Sequence, residues 1–233
     1  MNYEGYNWYN YSMNHLTFDQ LSTNHDIQAY LKAADDNFAA IGYKEHGFRH
    51  AQLTSHIAGN VLKFLDFPAR DVELARIAGY LHDIGNAMGQ REHAQNGALL
   101  TLDILENLQL PYPHIFPIIN AIGSHEDKDI DPSSAMAAAI ILGDKTDVHH
   151  SRVRLKDLAT LDMHGRVNYA CQRAFLRVNG ETRVISLELT IDTEICPVME
   201  YFEIFLSRTK LCRRASRALK CDFELFINKD KFL

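Results

Sequence analysis

Between Thr23 and Val148 apolar residues recur at three- and four-residue steps, and no run of alternating apolar and polar residues interrupts them. Such a pattern gives each segment an apolar stripe along one helical face, and stripes of this kind are buried by packing helices on one another. Ile27, Tyr30, Leu31, Ala34, Phe38 and Ile41 mark a first helix, closed by Gly42. A second is expected from about His46 to Leu65, with Leu53, Ile57, Val61 and Leu65 on its inner face and Phe67-Pro68 as the stop. A third, from about Asp71 to Asp83, is apolar on most sides and belongs at the centre of a bundle. Further helices are expected over roughly His93–Asn107, Pro113–Ser124 and Pro132–Val148.

Past about Gly165 the texture changes. Asn168–Val178 and Arg183–Ile191 carry β-favouring residues, and Asn179-Gly180 between them is a hairpin signal. A long helix from about Pro197 to Lys220 and a last strand, Asp222–Asn228, follow. Phe202, Phe205 and Leu206 are expected in the core. Lys210, Arg213, Arg214, Arg217 and Lys220 form a basic stripe opposite Leu211, Ala215, Ala218 and Leu219, most simply a solvated face. The expected architecture is mainly α, with a helical bundle over residues 23–160 and a small α+β appendage over 165–233. Residues 1–22 form a tail whose aromatics would lie on the domain or on a partner subunit.

The chain has 233 residues, 46% of them apolar and 23% charged, which is ample for a buried core in one large domain with an appendage. A net charge of −6 argues against wholesale nucleic-acid binding, though it permits a local basic patch. Cys171, Cys196, Cys212 and Cys221 show no CxxC spacing and read as reduced, buried thiols. The opening MNYEGYNWYNYSMNH has neither the cationic start nor the apolar centre of a signal peptide, and no apolar run is long enough to span a bilayer. A cytoplasmic location with no membrane partner is expected.

Against this background one pair stands out. His82-Asp83, in AGYLHDIGNAMG, closes the most apolar helix and offers a nitrogen and an anionic oxygen to one small volume, a combination suited to a divalent transition metal. Asn24-His25-Asp26 has the same two letters, but there Asp26 simply favours a first helical turn. Other candidate ligands lie at helix edges. His46 and His50 are four apart and share a face, His93 starts a helix, His125 ends one, and Asp144 and Asp147 punctuate another. Burying such groups together is costly unless a cation compensates them.

With these residues the chain resembles the HD-domain superfamily of metal-dependent phosphohydrolases. The shared pattern is a histidine on an early helix, a His-Asp pair, further histidines and a late aspartate, in that order, over roughly residues 23–155. The resemblance implies an HD-type helical bundle holding two divalent ions, with Fe, Mn, Zn, Ni, Co and Mg as candidates. Position by position it implies His50, His82, Asp83 and Asp144 around one ion and His93 and His125 around the other, with Asp83 as the bridge. His46 would be a further ligand or an orienting group, while Asp147 reads as a carboxylate that orients a ligand or pairs with an arginine rather than binding metal.

The implied reaction is hydrolysis of a phosphate ester by a metal-activated water. Asp83 would be central to it, with Lys145 and Arg49 contacting phosphoryl oxygens. Glu126 and Asp127 read as a solvated turn, with reach to a metal-bound water as the alternative. The implied partner is a small phosphorylated substrate, a nucleotide among the candidates, and a homodimer is the candidate assembly. EDKDIDPSS rather than a GYP tripeptide follows His125, and Ile84–Gly89 holds no acidic pair. Neither the cyclic-dinucleotide nor the guanosine-tetraphosphate subgroup is therefore implied. The same four-histidine, two-aspartate set is similar to that of di-iron oxygenases of the inositol-oxygenase kind, and a non-catalytic signalling module is a third expectation. His56 and His149-His150 are expected to face solvent.

Overall fold

The computed structural model describes residues 16–41, 45–154 and 161–233; the opening tail to residue 15 and the helix stop at Gly42 lie outside them. Thr17 opens α1 (Phe18–Ser22) with a capping box, its hydroxyl accepting from the Gln20 amide while the Gln20 side chain accepts from the Thr17 amide. This short helix falls within the segment expected as a tail, and Phe18 and Leu21 are buried. The Phe18 ring meets Tyr80 edge-on at 5.5 Å, and Arg76 lies 4.2 Å over it.

The bundle continues with α2 (His25–Ile41), α3 (Phe48–Phe64), α4 (Ala69–Leu81), α5 (His93–Asn107), α6 (Tyr112–Gly123) and α7 (Ala135–Lys145). All the periodic segments are helical. Their ends differ from the sequence expectation where a cap decides. Gly47, not a residue before His46, stands at the start of α3. Ser134 caps α7 by accepting from the Ala137 amide, so the helix starts three residues late and ends at Lys145, leaving Asp147 beyond it.

Two glycines bring the central helices close. A Cβ at Gly79 would stand 3.0 Å from the Ser55 backbone, and one at Gly143 only 2.9 Å from the Thr54 carbonyl oxygen. The helices α4 and α7 therefore both press on α3 one turn beyond His50. A third close approach fixes the segment after His82-Asp83. There Ile84–Met88 form a 3-10 helix, and a Cβ at Gly85 would fall 2.0 Å from the His93 carbonyl oxygen. From the other side, the Asn37 amide of α2 donates to the carbonyls of Asn86 at 2.9 Å and Ala87 at 3.1 Å.

The C-terminal part departs further from expectation. Asp162 caps α8 (Met163–Ala170), so the expected strand from Asn168 begins only at Cys171. Strands β1 (Cys171–Asn179) and β2 (Val184–Ile191) are antiparallel, with Asn179 opposite Val184. The expected hairpin is present; its connection is the four residues 180–183, so Asn179 still belongs to β1. Arg183, at φ 54°, takes the left-handed position, while Gly180 is pressed against the Phe64 carbonyl, with 2.2 Å left for any Cβ. After α9 (Val198–Ala218) comes β3 (Asp222–Ile227), parallel to β2, and then β4 (Asp230–Lys231), antiparallel to β3. The sheet order is β1-β2-β3-β4, and α9 is the crossover that a parallel pair requires.

Helix α9 packs on α7, and Tyr201, Phe205, Cys212 and Ala215 form its buried stripe. Two expectations fail here: Leu206 is 46% exposed and Ala218 also faces solvent, because the stripe through Tyr201 and Phe205 turns both outward. Buried apolar side chains form one cluster that includes both Phe18 and Ile227. The four cysteines are free and buried. Among the described residues no helix is long and apolar enough to cross a membrane. The architecture is a mainly α bundle with a small C-terminal α+β appendage.

Candidate metal centre

The ends of five elements meet at one carboxylate. His50 comes from the first turn of α3, His82 and Asp83 from the end of α4, His93 from the first residue of α5, His125 from just past α6, and Asp144 from the last turn of α7. All but His93 are buried. The two oxygens of Asp83 face different histidines. Oδ2 lies 3.5 Å from His50 Nε2 and 3.4 Å from His82 Nε2, while Oδ1 lies 3.4 Å from His93 Nε2 and 4.0 Å from His125 Nε2. Asp144 Oδ1 is 3.5 Å from His50 Nε2. Three sets of side chains have ligand atoms close enough to share an ion: His50, His82 and Asp83; His82, His125 and Asp144; and Asp83, His93 and His125.

Each imidazole is aimed by its other nitrogen. His82 Nδ1 lies 2.9 Å from the Gly79 carbonyl, His93 Nδ1 3.1 Å from that of Gln90, and His125 Nδ1 2.6 Å from that of Ile122. A carbonyl only accepts, so Nδ1 carries the proton in all three and Nε2 presents a lone pair. In each case the carbonyl is three residues upstream. His50 differs: its Nδ1 donates across the fold to Asp147 Oδ2 at 2.7 Å. The Nε2 atoms of His50 and His82 are buried with no hydrogen-bond partner, and those of His93 and His125 face each other at 3.3 Å. Two lone pairs so placed repel unless a cation lies between them. The donor set therefore fits divalent metal, with neutral nitrogens and anionic oxygens converging and the back of each ring tied down.

The electrostatics agree. Burial and the His82 and Lys145 charges push His125 down to about 4, and burial pulls His82 below its ordinary range, so both stand as neutral ligands at neutral pH. Burial alone would raise Asp83 and Asp144. Nearby His82 and His50 outweigh it at Asp83, and Lys145 with His50 does so at Asp144, so both remain carboxylates. Burial and Arg152 oppose a charged His50, yet Asp144 and Asp147 lift it to about 9. Without a bound cation, His50 supplies the positive charge that the cluster needs.

Around this centre, Asp147 is a hub. Arg49 forks onto it at 2.8 and 3.2 Å and also bonds Glu45, while Arg152 donates to its backbone carbonyl at 3.0 Å. The Arg49 guanidinium thus sits on Asp147 and Glu45, holding the carboxylate that aims His50. His46 stacks on Phe38 at 3.8 Å and accepts from Arg152 at 2.7 Å, outside the three ligand sets. Lys145 is buried, 2.6 Å from Asp144 Oδ2 and bonded to Glu126, whose Oε1 is 3.9 Å from His125 Nε2. Asp127 is on the turn just beyond. His56 and His150 are exposed, and His149 accepts from or donates to Ser151 at the surface. Sequence reasoning missed Asn86 and Arg152. The buried Asn86 amide donates to Asp83 Oδ1 at 3.0 Å, and its spacing of three from Asp83 was the available signal.

Residues 43–159, half of the chain, match the HD domain family. The chain belongs to the HD-domain family. This is a family of metal-dependent phosphohydrolases whose domains bind divalent metals. Among curated proteins, an uncharacterized protein of Methanocaldococcus jannaschii is 26% identical over 204 residues, covering 77% of each chain. Ribonuclease Y of Oceanobacillus iheyensis is 31% identical over 102 residues, 44% of this chain and 18% of that protein. Ribonuclease Y of Latilactobacillus sakei is 32% identical over 99 residues, 42% of this chain and 16% of that one. The ribonuclease Y likeness thus covers less than half of this HD-family chain and under a fifth of those relatives.

Proposed function

We propose that this chain hydrolyses a phosphate ester of a small molecule with the help of two divalent ions. His50, His82, Asp83 and Asp144 would hold one ion, and Asp83, His93 and His125 the other. The observation that carries this reading is the division of Asp83, one oxygen toward the His50–His82 pair and the other toward the His93–His125 pair. A bridging carboxylate has that layout. Two ions so held lower the pKa of water and neutralise phosphoryl oxygens.

The chain's own groups do the rest. Asn86 fixes the rotation of Asp83, so the carboxylate does not turn both oxygens to one side. Lys145 sets a positive charge beside Asp144 where a phosphoryl oxygen would lie. Glu126, close to His125 and paired with Lys145, is placed to hold a proton of the attacking water. Arg49, engaged by Asp147 and Glu45, acts as a positioning residue. His93, the half-buried member of the set, marks the side open to substrate. The ribonuclease Y relatives bring a phosphodiester into the candidate class, while the net charge of −6 favours a small ester over a long polyanion.

The test joins elemental analysis of the purified protein to a phosphate-release screen over nucleotides, phosphosugars and a nitrophenyl phosphodiester. Two ions per chain and release that depends on them are expected, with Asp83→Ala losing both. Unchanged metal content in Asp83→Ala would remove the site. Iron with oxygen uptake and no phosphate release from any ester would replace the hydrolase with the oxygenase that shares this donor set.

A further inference from the structure

The apolar stripe of α9 that packs toward α7 runs through Tyr201, Phe205, Cys212 and Ala215, all buried. The step between Phe205 and Cys212 is filled at heptad spacing by Arg208. An arginine at such a position needs a partner, because an uncompensated buried cation is costly. Arg208 is half-buried and makes no hydrogen bond or ion pair among the described residues. Its guanidinium lies 5.0 Å over the Phe205 ring, which is itself held between Tyr201 and His164.

The charges around Arg208 belong to the metal centre. Arg152 faces it with like charge, and Asp144, Glu126 and Asp147 with opposite charge; Lys145 also feels Arg208. Those carboxylates are already taken. Asp144 and Glu126 hold Lys145, and Asp147 holds His50, Arg49 and Arg152. Among the described residues around the centre, Arg208 is the cation left over. The helix that carries it is fixed to the loop after His125, where Arg214 pairs with Asp131 at 2.7 Å and bonds the Lys128 carbonyl. Its place beside the centre is therefore built in.

We propose that Arg208 binds the phosphate group of the substrate, so that the C-terminal appendage supplies the anion-recognition residue of the site. The planar guanidinium fork suits two phosphoryl oxygens, and the Phe205 ring beneath it at 5.0 Å limits where it can swing. The substrate class that follows is one whose phosphate carries a full negative charge beyond what the ions neutralise, such as a monoester or a terminal phosphate. This inference rests on the phosphohydrolase reading, and the experiment separates the two.

Inorganic phosphate is the probe, titrated calorimetrically into manganese-loaded full-length protein and into Arg208→Gln and Arg208→Lys. Manganese stoichiometry is measured alongside. Arg208→Gln is expected to keep the wild-type metal content and to bind phosphate at least about tenfold more weakly, the loss of one charge-assisted fork. Arg208→Lys should recover part of the affinity, since charge returns without the fork. Equal phosphate affinity in wild type and Arg208→Gln, at equal metal content, overturns the proposal and leaves the hydrolase reading standing. Wild-type protein that binds neither manganese nor phosphate overturns both. Should Arg208→Gln fold poorly, Arg208→Lys alone decides: phosphate affinity within twofold of wild type means that the fork does not contact the anion.

Discussion

Asp147 shows how much a residue can matter without joining the ligand sets. It accepts the hydrogen bond of His50 Nδ1–H at 2.7 Å and gathers Arg49 and Arg152. Replacing it by Asn keeps the size but removes the charge that aims His50 Nε2 at Asp83. We expect Asp147→Asn to weaken the ion on the His50 side by about 10–100-fold, the usual cost of losing an orienting partner. The ion on His93 and His125 should persist. A metal titration of the folded variant checks this, and equal loss of both ions would contradict it. The residue also shows where sequence stops. A carboxylate three positions after Asp144 reads as an orienting group, but its partner on α3 lies 97 residues away, and only packing says which imidazole it holds.

At the scale of elements, the site depends on places where backbones nearly touch. The 3-10 segment Ile84–Met88 reaches α5 because Gly85 has no side chain; a Cβ there would overlap the His93 carbonyl at 2.0 Å and the Gly97 amide at 2.4 Å. Gly85→Ala must push α5 away and take His93 with it. The expected result is a loss of about 1–3 kcal/mol in stability from overpacking. Metal should fall on the His93 side, opposite to the Asp147→Asn pattern. Thermal melts and metal stoichiometry test this together; an unshifted melt with two ions would show that the contact relaxes elsewhere. Helices α2 to α7 and α9 were legible from apolar spacing, and the bounds of α5 agree with it residue for residue, whereas α1 and α8 were not foreseen. Less legible were features set by tertiary contact. The Asn179-Gly180 signal marked the hairpin but not that Gly180 would be pressed on the end of α3, and Leu206 was turned out by the pitch of α9 on α7.

For the whole molecule, the centre is a knot tying α3, α4, α5, α6 and α7 at one point, so what binds there stabilises the entire bundle. With each ion at about a hundredfold excess over its dissociation constant, one ion adds about 2.7 kcal/mol. For a chain of this size that raises the melting temperature by roughly 5–10 °C. Scans with manganese and with a chelator should differ by at least that amount, and superimposable scans would mean that the knot does not bind the ion. The ligand order along the chain was visible as helix-edge histidines and aspartates, because charged groups beside apolar stripes have few structural uses. Arg208 was not visible in the same way. It sits on the helix expected over about Pro197 to Lys220 but outside the family pattern, and its nearness to the centre emerges only from the packing of α9 against α7.

His82, His93 and His125 each bond the carbonyl three residues upstream, whereas His50 relies on Asp147 from the far side of the chain. Three of the four nitrogens are thus set by a single turn of backbone, in a stretch of sequence only 44 residues long from first to last. A chain with those turns formed and its long-range packing still incomplete already offers a dissolved cation several prearranged lone pairs. If an ion binds there, its capture would be coupled to the docking of α3, which brings His50 to the cluster.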